Sequence, residues 1–175
     1  MARIPTNSVG LAGEFAVLSQ LTLRGFDAAL TLGHTKNIDI LVLDPRNGAR
    51  YEVEVKTNLE TRTRDSDSKL FGKFVTDWQM SAKQENVIEP KLFYCFVHIN
   101  GSRTDLSKYD FRFFLVPSAV VAKYIREEHK LWLKDNPARQ TSDRRLFRIG
   151  LPNDRPISVP APLASVYEDN WAFVT

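Results

Sequence analysis

Residues 50–57 alternate strictly between apolar and polar positions. Tyr51, Val53 and Val55 fall on one side, and Glu52, Glu54 and Lys56 on the other. A period of two is the signature of a half-buried strand. Upstream, Ile38-Asp39-Ile40-Leu41-Val42-Leu43 is an apolar strand pattern interrupted by one carboxylate. Asp44-Pro45-Arg46-Asn47-Gly48 between them is turn-rich, so the two segments read as an antiparallel hairpin with Asp39 and Glu54 near its open end. Ahead of the hairpin, residues 9–23 read as a helix capped by Asn7 or Ser8 and ended by Gly25. Leu11, Phe15, Leu18 and Leu21 form its apolar stripe. A short strand over 27–32 follows it.

The rest of the chain divides less evenly. Residues 58–69 are polar and read as a loop, and 71–85 as containing a helix with Trp78 and Met80 as core contacts. Two further strands are expected over 91–99 and 111–116, then a long helix over 119–134 with Ser118 as N-cap. Residues 137–142 read as a loop, 145–149 as a short strand, 152–162 as an extended proline-rich segment, and 163–169 as a last short helix. This order predicts a mixed α/β or α+β layer rather than a βαβ repeat. At 175 residues the chain is expected to be one domain over 1–175.

Charge in apolar surroundings supplies the candidate chemistry. A carboxylate inside an apolar strand is costly unless it is paired or binds a metal. Glu14 falls within the arc of the helical stripe, flanked by Leu11 and Leu18. Glu14, Asp39 and Glu54, with the Val55 carbonyl, could together offer oxygen donors to a hard divalent cation. Lys56 shares the face of Glu54 and could orient water or stabilise charge on a phosphate. A second reading stays open for each residue. Glu54 and Lys56 could simply line a solvated face, Asp39 could pair with Lys36 or Arg50, and Glu14 could lie at the stripe edge.

Around this set, His34 and Lys36 precede Asp39, Arg62 and Arg64 follow the hairpin, and Lys83 and Gln84 lie further on. All six are candidate auxiliary or phosphate-contacting residues. Arg139, Arg144, Arg145 and Arg148 form a second basic cluster. The aromatics of the later strands read as core rather than as base-stacking platforms. Zinc spacings, glycine-rich phosphate loops and serine or cysteine nucleophile motifs are absent from the sequence.

Composition narrows the class without naming it. Apolar residues make up 43% and charged residues 26%, the balance of an ordinary globular protein. The net charge of +3 permits a nucleic-acid partner without demanding one. The single cysteine, Cys95, excludes an intrachain disulfide framework and reads as a buried core thiol. No apolar run reaches the length of a membrane span and no signal-peptide pattern opens the chain, so a cytoplasmic setting without a membrane partner is expected.

Asn37-Ile38-Asp39, then residues 40–53, then Glu54-Val55-Lys56 resembles the motif of the PD-(D/E)XK nuclease superfamily. Gly10-Leu11-Ala12-Gly13-Glu14, with Leu21 and Gly25, resembles the opening helix of its resolvase-like branch. The resemblance covers about the first third of the chain, by the motif spacing. Ile38 stands where a proline commonly precedes the aspartate. The resemblance implies a central mixed sheet flanked by helices, Mg²⁺ or Mn²⁺ as cofactor, and hydrolysis of nucleic-acid phosphodiesters, DNA before RNA. It also implies Asp39 and Glu54 as metal ligands, Lys56 as the catalytic lysine and Glu14 as an accessory acid. Relatives of this kind often act as homodimers, and an unidentified protein partner could supply specificity. The competing expectation is a catalytically silent module that binds nucleic acid or protein.

Overall fold

In the computed structural model, residues 4–31, 38–60, 66–101 and 109–174 are described. The first helix, α1 (Thr6–Leu23), ends where Gly25 takes a φ of 81°, a conformation that an L side chain would strain. Then come β1 (Asp27–Leu30), β2 (Ile40–Asp44) and β3 (Ala49–Glu60). After them lie β4 (Ser66–Ser68), β5 (Gly72–Ser81), a 3₁₀ turn over Ala82–Asn86, β6 (Leu92–Gly101) and β7 (Tyr109–Pro117). The chain continues with α2 (Ser118–Asp135), β8 (Arg144–Gly150) and the one-turn α3 (Ala164–Tyr167).

The fold is α+β. A five-stranded sheet in the order β1-β2-β3-β6-β7 is mixed, because β3 and β6 run parallel while its other neighbours are antiparallel. A second, three-stranded sheet, β4-β5-β8, was not foreseen from the sequence. One core cluster lies on the face of the large sheet that meets α1. It joins Val17 and Leu21 to Ile40, Val53, Val55, Phe93 and Cys95, with Trp171 and Phe173 from the C-terminal segment. The other cluster fills the opposite face, where Tyr94, Phe96 and Phe114 meet Trp78 of β5, Phe147 of β8 and Ile125 of α2. Each such aromatic or aliphatic side chain contributes about 1.5–3 kcal/mol by leaving water. The Trp78 indole N–H donates to the Val97 carbonyl at 3.2 Å and ties the small sheet to the large one.

Several expectations are corrected. Residues 72–81 form a strand, not a helix, pairing with β8; Thr76, Trp78 and Met80 alternate inward after an irregularity between Phe74 and Asp77, and Trp78 and Met80 are core, as expected. Among its described residues the polar stretch after the hairpin is strand over 58–60, where β3 runs on to Glu60, and over 66–68 in β4; residues 61–65 lie outside the described residues. On α1 the buried residues are Val9, Gly13, Val17 and Leu21, while Leu11 and Phe15 are exposed at 49% and 54%. The helix turns this face inward because Gly13 meets β3 so closely that a Cβ there would lie 1.9 Å from Thr57 Oγ1. Neither Asn7 nor Ser8 caps it: the helix starts at Thr6 after Pro5. Ser118 does not cap α2 either; its hydroxyl donates to the Glu89 carbonyl at 2.8 Å and accepts from the Glu89 N–H at 2.9 Å.

Cys95 is fully buried, which pushes its thiol pKa far up. Among the described residues no helix is long and apolar enough to cross a membrane.

Candidate functional site

The hairpin places the motif. β2 and β3 pair antiparallel from Asp44–Ala49 to Ile40–Val53, and Asp39 comes one residue before β2 begins. Its backbone still follows the sheet, with Asp39 N–H donating to the Val53 carbonyl and its own carbonyl accepting from Thr31 N–H, both at 2.9 Å. The Asp39 carboxylate then takes the next position along β3, where Oδ2 accepts the Val55 N–H at 2.6 Å. Asp39 is therefore the residue at which β2 lets go of β3, not a residue within the apolar strand. Because the N–H and C=O of one strand residue project to the same side, the Val55 carbonyl faces this edge as well.

Glu54 and Lys56 project from the other face of β3, as the alternation predicts. Glu54 lies opposite Tyr94 in the parallel β3–β6 register and is only 4% exposed. A wet strand face is thereby excluded for it. One carboxylate oxygen, Oε1, receives Lys56 Nζ at 2.5 Å and Gln84 Nε2 at 3.0 Å. The other, Oε2, is buried and has no hydrogen-bond partner among the described residues. Burial and the neighbouring Glu54 charge raise the Tyr94 hydroxyl pKa.

Gln84 is held from behind. Its Oε1 accepts the Ser81 N–H at 2.8 Å, and the reciprocal Ser81–Gln84 capping box fixes the 3₁₀ turn that follows β5. Glu54, Lys56, Ser81, Lys83, Gln84 and Arg144 line a cleft of about 390 Å³, with Gln79, Met80 and Asp143 completing its walls. A larger hollow, about 520 Å³, lies over Leu41 and Leu43 on β2, but its lining has no orphaned buried polar atom. Convergent polar groups make the smaller cleft the functional candidate.

Glu14 sits half-buried beside the Gly13–Thr57 crossing of α1 over β3. Burial raises its pKa above the ordinary carboxylate value of 4.5, the Asp39 charge raises it further, and Lys56 opposes both. The structure thus groups Glu54, Lys56, Lys83 and Gln84 in one cleft. It couples Asp39 to them through the Val55 N–H and brings Glu14 into electrostatic range of Asp39 and Lys56. His34, Lys36, Arg62 and Arg64 lie outside the described residues. Arg145 and Arg148, expected in a basic surface cluster, are instead buried in ion pairs with Glu85 and Glu128.

Oxygen donors at Asp39, Glu54, the Val55 carbonyl and Glu14 have the chemistry of a hard-cation site, and the orphaned Glu54 Oε2 leaves an acceptor available. Among the described residues, no group of three or more His, Cys, Asp or Glu side chains is gathered closely enough to hold an ion. A cation at this edge would therefore draw the rest of its shell from backbone carbonyl, water or substrate phosphate, as Mg²⁺ commonly does.

Residues that sequence reasoning missed include Tyr94, Ser81, Asp143 and a polar ladder beyond Lys56. In that ladder Asn58 donates to Thr76 Oγ1 and the Asp77 carbonyl, so its Oδ1 accepts from His98 Nδ1 at 2.8 Å. Asn58 continues the alternation of Glu54 and Lys56, and that was the available signal.

No protein-family model and no curated protein matches the sequence. Among solved structures, that of a bacterial homing endonuclease, I-Ssp6803I, is similar with a TM-score of 0.49 at 13% identity, covering 96% of this chain and 91% of that one.

Proposed function

We propose that this chain is a metal-dependent nuclease of the PD-(D/E)XK type, with a restriction-endonuclease-like arrangement of its sheet and helices, acting on DNA before RNA. The observation that carries the reading is the Glu54 carboxylate. It is buried in a polar cleft beside the Tyr94 hydroxyl, with Lys56 and Gln84 on one oxygen and no hydrogen bond of good geometry to the other among the described residues. A buried acceptor left unsatisfied is unfavourable by about 1–3 kcal/mol, more for a charged group, and a cation would relieve that penalty.

In this reading Asp39, Glu54, the Val55 carbonyl and, through water, Glu14 hold Mg²⁺ or Mn²⁺, whose contribution when bound is to offset negative charge gathering on the scissile phosphate. Lys56 orients the attacking water in line with the P–O bond and stabilises developing charge. Gln84 fixes the Glu54 carboxylate against rotation. Lys83 and Arg144 at the cleft wall hold flanking phosphates; His34, Lys36, Arg62 and Arg64, outside the described residues, enter the reading only as further phosphate contacts expected from the sequence. The reading also takes residues 1–175 as one domain with a cytoplasmic setting. It acts as a homodimer or with a further protein, for which exposed Leu11 and Phe15 offer an apolar surface.

A second reading has its own observation. Lys56 is already paired with Glu54, and among the described residues no three acidic or histidine side chains gather to hold an ion, as in a nuclease fold kept only for binding nucleic acid or protein. Incubation with supercoiled, linear, single-stranded and branched DNA, with and without Mg²⁺ or Mn²⁺, separates the two. Cutting that needs metal and disappears in both Glu54→Ala and Lys56→Ala supports the enzyme. Binding that persists in both variants, with no substrate cut under any condition, supports the silent module.

A further inference from the structure

Arg144 lines not only the Glu54–Lys56 cleft but also a second, smaller hollow of about 180 Å³. Its walls are His129 and Trp132 of α2, with Ser142 just before β8 and Leu146 within it. The volume falls below the range of about 300–1,000 Å³ typical of pockets for drug-sized molecules, so it suits a single flat ring system. The Trp132 indole is only partly covered, and the His129 imidazole stacks on it with centroids 5.6 Å apart and planes at 24°. His129 is 6% exposed, and its Nε2 has no hydrogen-bond partner among the described residues.

The surroundings are fixed in place. Glu128, on the same hollow, is paired with Arg148 at 2.5 Å, and Arg145 is paired with Glu85. Burial and the Arg145 charge hold the His129 pKa down, and its Nε2 is itself buried, so the ring serves to back the Trp132 indole. An aromatic wall backed by a fixed ring, and an arginine shared with the cleft read above as a phosphate site, are the parts that a base-holding subsite needs.

We propose that this hollow receives one unpaired or extruded nucleobase of the nucleic acid bound in the cleft. The base sits against Trp132 while Arg144 spans to the adjoining phosphate. The inference rests on the reading of the cleft as a nucleic-acid site, and it adds a substrate preference: DNA with an unpaired base beside the cut site over fully paired duplex.

The test uses the full chain and two duplexes of one sequence, one fully paired and one carrying a single mismatched 2-aminopurine. Binding is followed by anisotropy in Ca²⁺, together with 2-aminopurine fluorescence. Trp132→Ala should weaken binding of the mismatched duplex about tenfold, the size expected for one lost base–aromatic stack. The paired duplex should move by less than about twofold on the same scale. Trp132→Phe should restore both the affinity and the fluorescence change. Equal affinities for Trp132→Ala and wild type, or equal weakening on both duplexes, overturns the base pocket while leaving the nuclease reading intact. If the wild type neither binds nor cuts any DNA, both readings fail.

Discussion

Lys56 Nζ lies 2.5 Å from Glu54 Oε1, two positions along the same face of β3, while Glu54 Oε2 has no partner among the described residues. The shared oxygen also accepts from Gln84, whose own Oε1 is held by the Ser81 N–H. Gln84 thus connects the strand that carries the acid to the turn that closes the cleft. Gln84→Leu keeps the volume roughly constant and removes both bonds. It should destabilise the fold by about 1–3 kcal/mol, the penalty for leaving buried polar groups unpaired. Urea denaturation of the variant checks this, and a loss within error of zero would mean that the Gln84–Glu54 bond does not form in solution.

Gly13 is where α1 touches β3. A methyl group there would meet Thr57 Oγ1 at 1.9 Å and Thr57 Cβ at 2.9 Å. Gly13→Ala therefore forces helix and strand apart despite alanine's better helix propensity, and should destabilise by about 1–3 kcal/mol. Thr57→Ala removes Oγ1, an atom that is buried without a hydrogen-bond partner among the described residues, and should be tolerated far better. In the double variant the two effects should fall short of additivity, with part of the Gly13→Ala loss recovered. Strict additivity in thermal or urea unfolding would show that the two residues are not in contact.

What was legible in the sequence was local. The Tyr51–Lys56 alternation and the turn at Asp44–Gly48 gave the hairpin, its facing and the sides of Glu54 and Lys56, because pairing across a short turn needs no distant information. The α1 stripe was misread since apolar residues surround that helix, and the choice of face was made by a glycine meeting Thr57 rather than by hydrophobicity. β5 does not read as a strand because its alternation is broken between Phe74 and Asp77, with Val75 as well as Trp78 and Met80 in the core, a spacing that also suits a helix face. Its partner β8 lies far along the chain, with Trp78 opposite Phe147, so neither the second sheet nor the turn that carries Gln84 could be inferred locally. Tyr94 joined the site only through the parallel register with β3.

Arg148 and Glu128 form an ion pair at 2.5 Å with both side chains less than a tenth exposed, and the guanidinium lies 4.3 Å from the Phe71 ring centroid. Removing one partner strands the other charge in low dielectric. Arg148→Met should therefore destabilise by about 3–5 kcal/mol, whereas Arg148→Met with Glu128→Leu should recover most of that loss. The comparison is read from unfolding midpoints of the two variants and wild type. A double variant as unstable as the single one would show that the arginine acts through packing on Phe71 and Phe74 and not through its charge.

Glu14 gives the fold a pH dependence whose sign follows from its surroundings. Burial first, and the Asp39 charge second, raise its pKa above 4.5 against the opposing pull of Lys56. The folded state then holds the proton more tightly than the unfolded chain. Its stabilising effect is fully present below the unfolded pKa and is lost as pH rises through the folded one. Glu14→Gln cannot ionise, so it should be more stable than wild type at neutral pH and match it near pH ~4. The group is only half-buried, and solvent screening keeps the difference below about 1 kcal/mol. Divalent cation should reverse the order. If Glu14 helps to hold Mg²⁺, adding the ion raises the melting temperature of wild type more than that of Glu14→Gln, since only the folded state binds it. Melting curves across pH, with and without Mg²⁺, read both effects, and an equal Mg²⁺ shift in the two proteins would remove Glu14 from the metal site while leaving its pH effect in place.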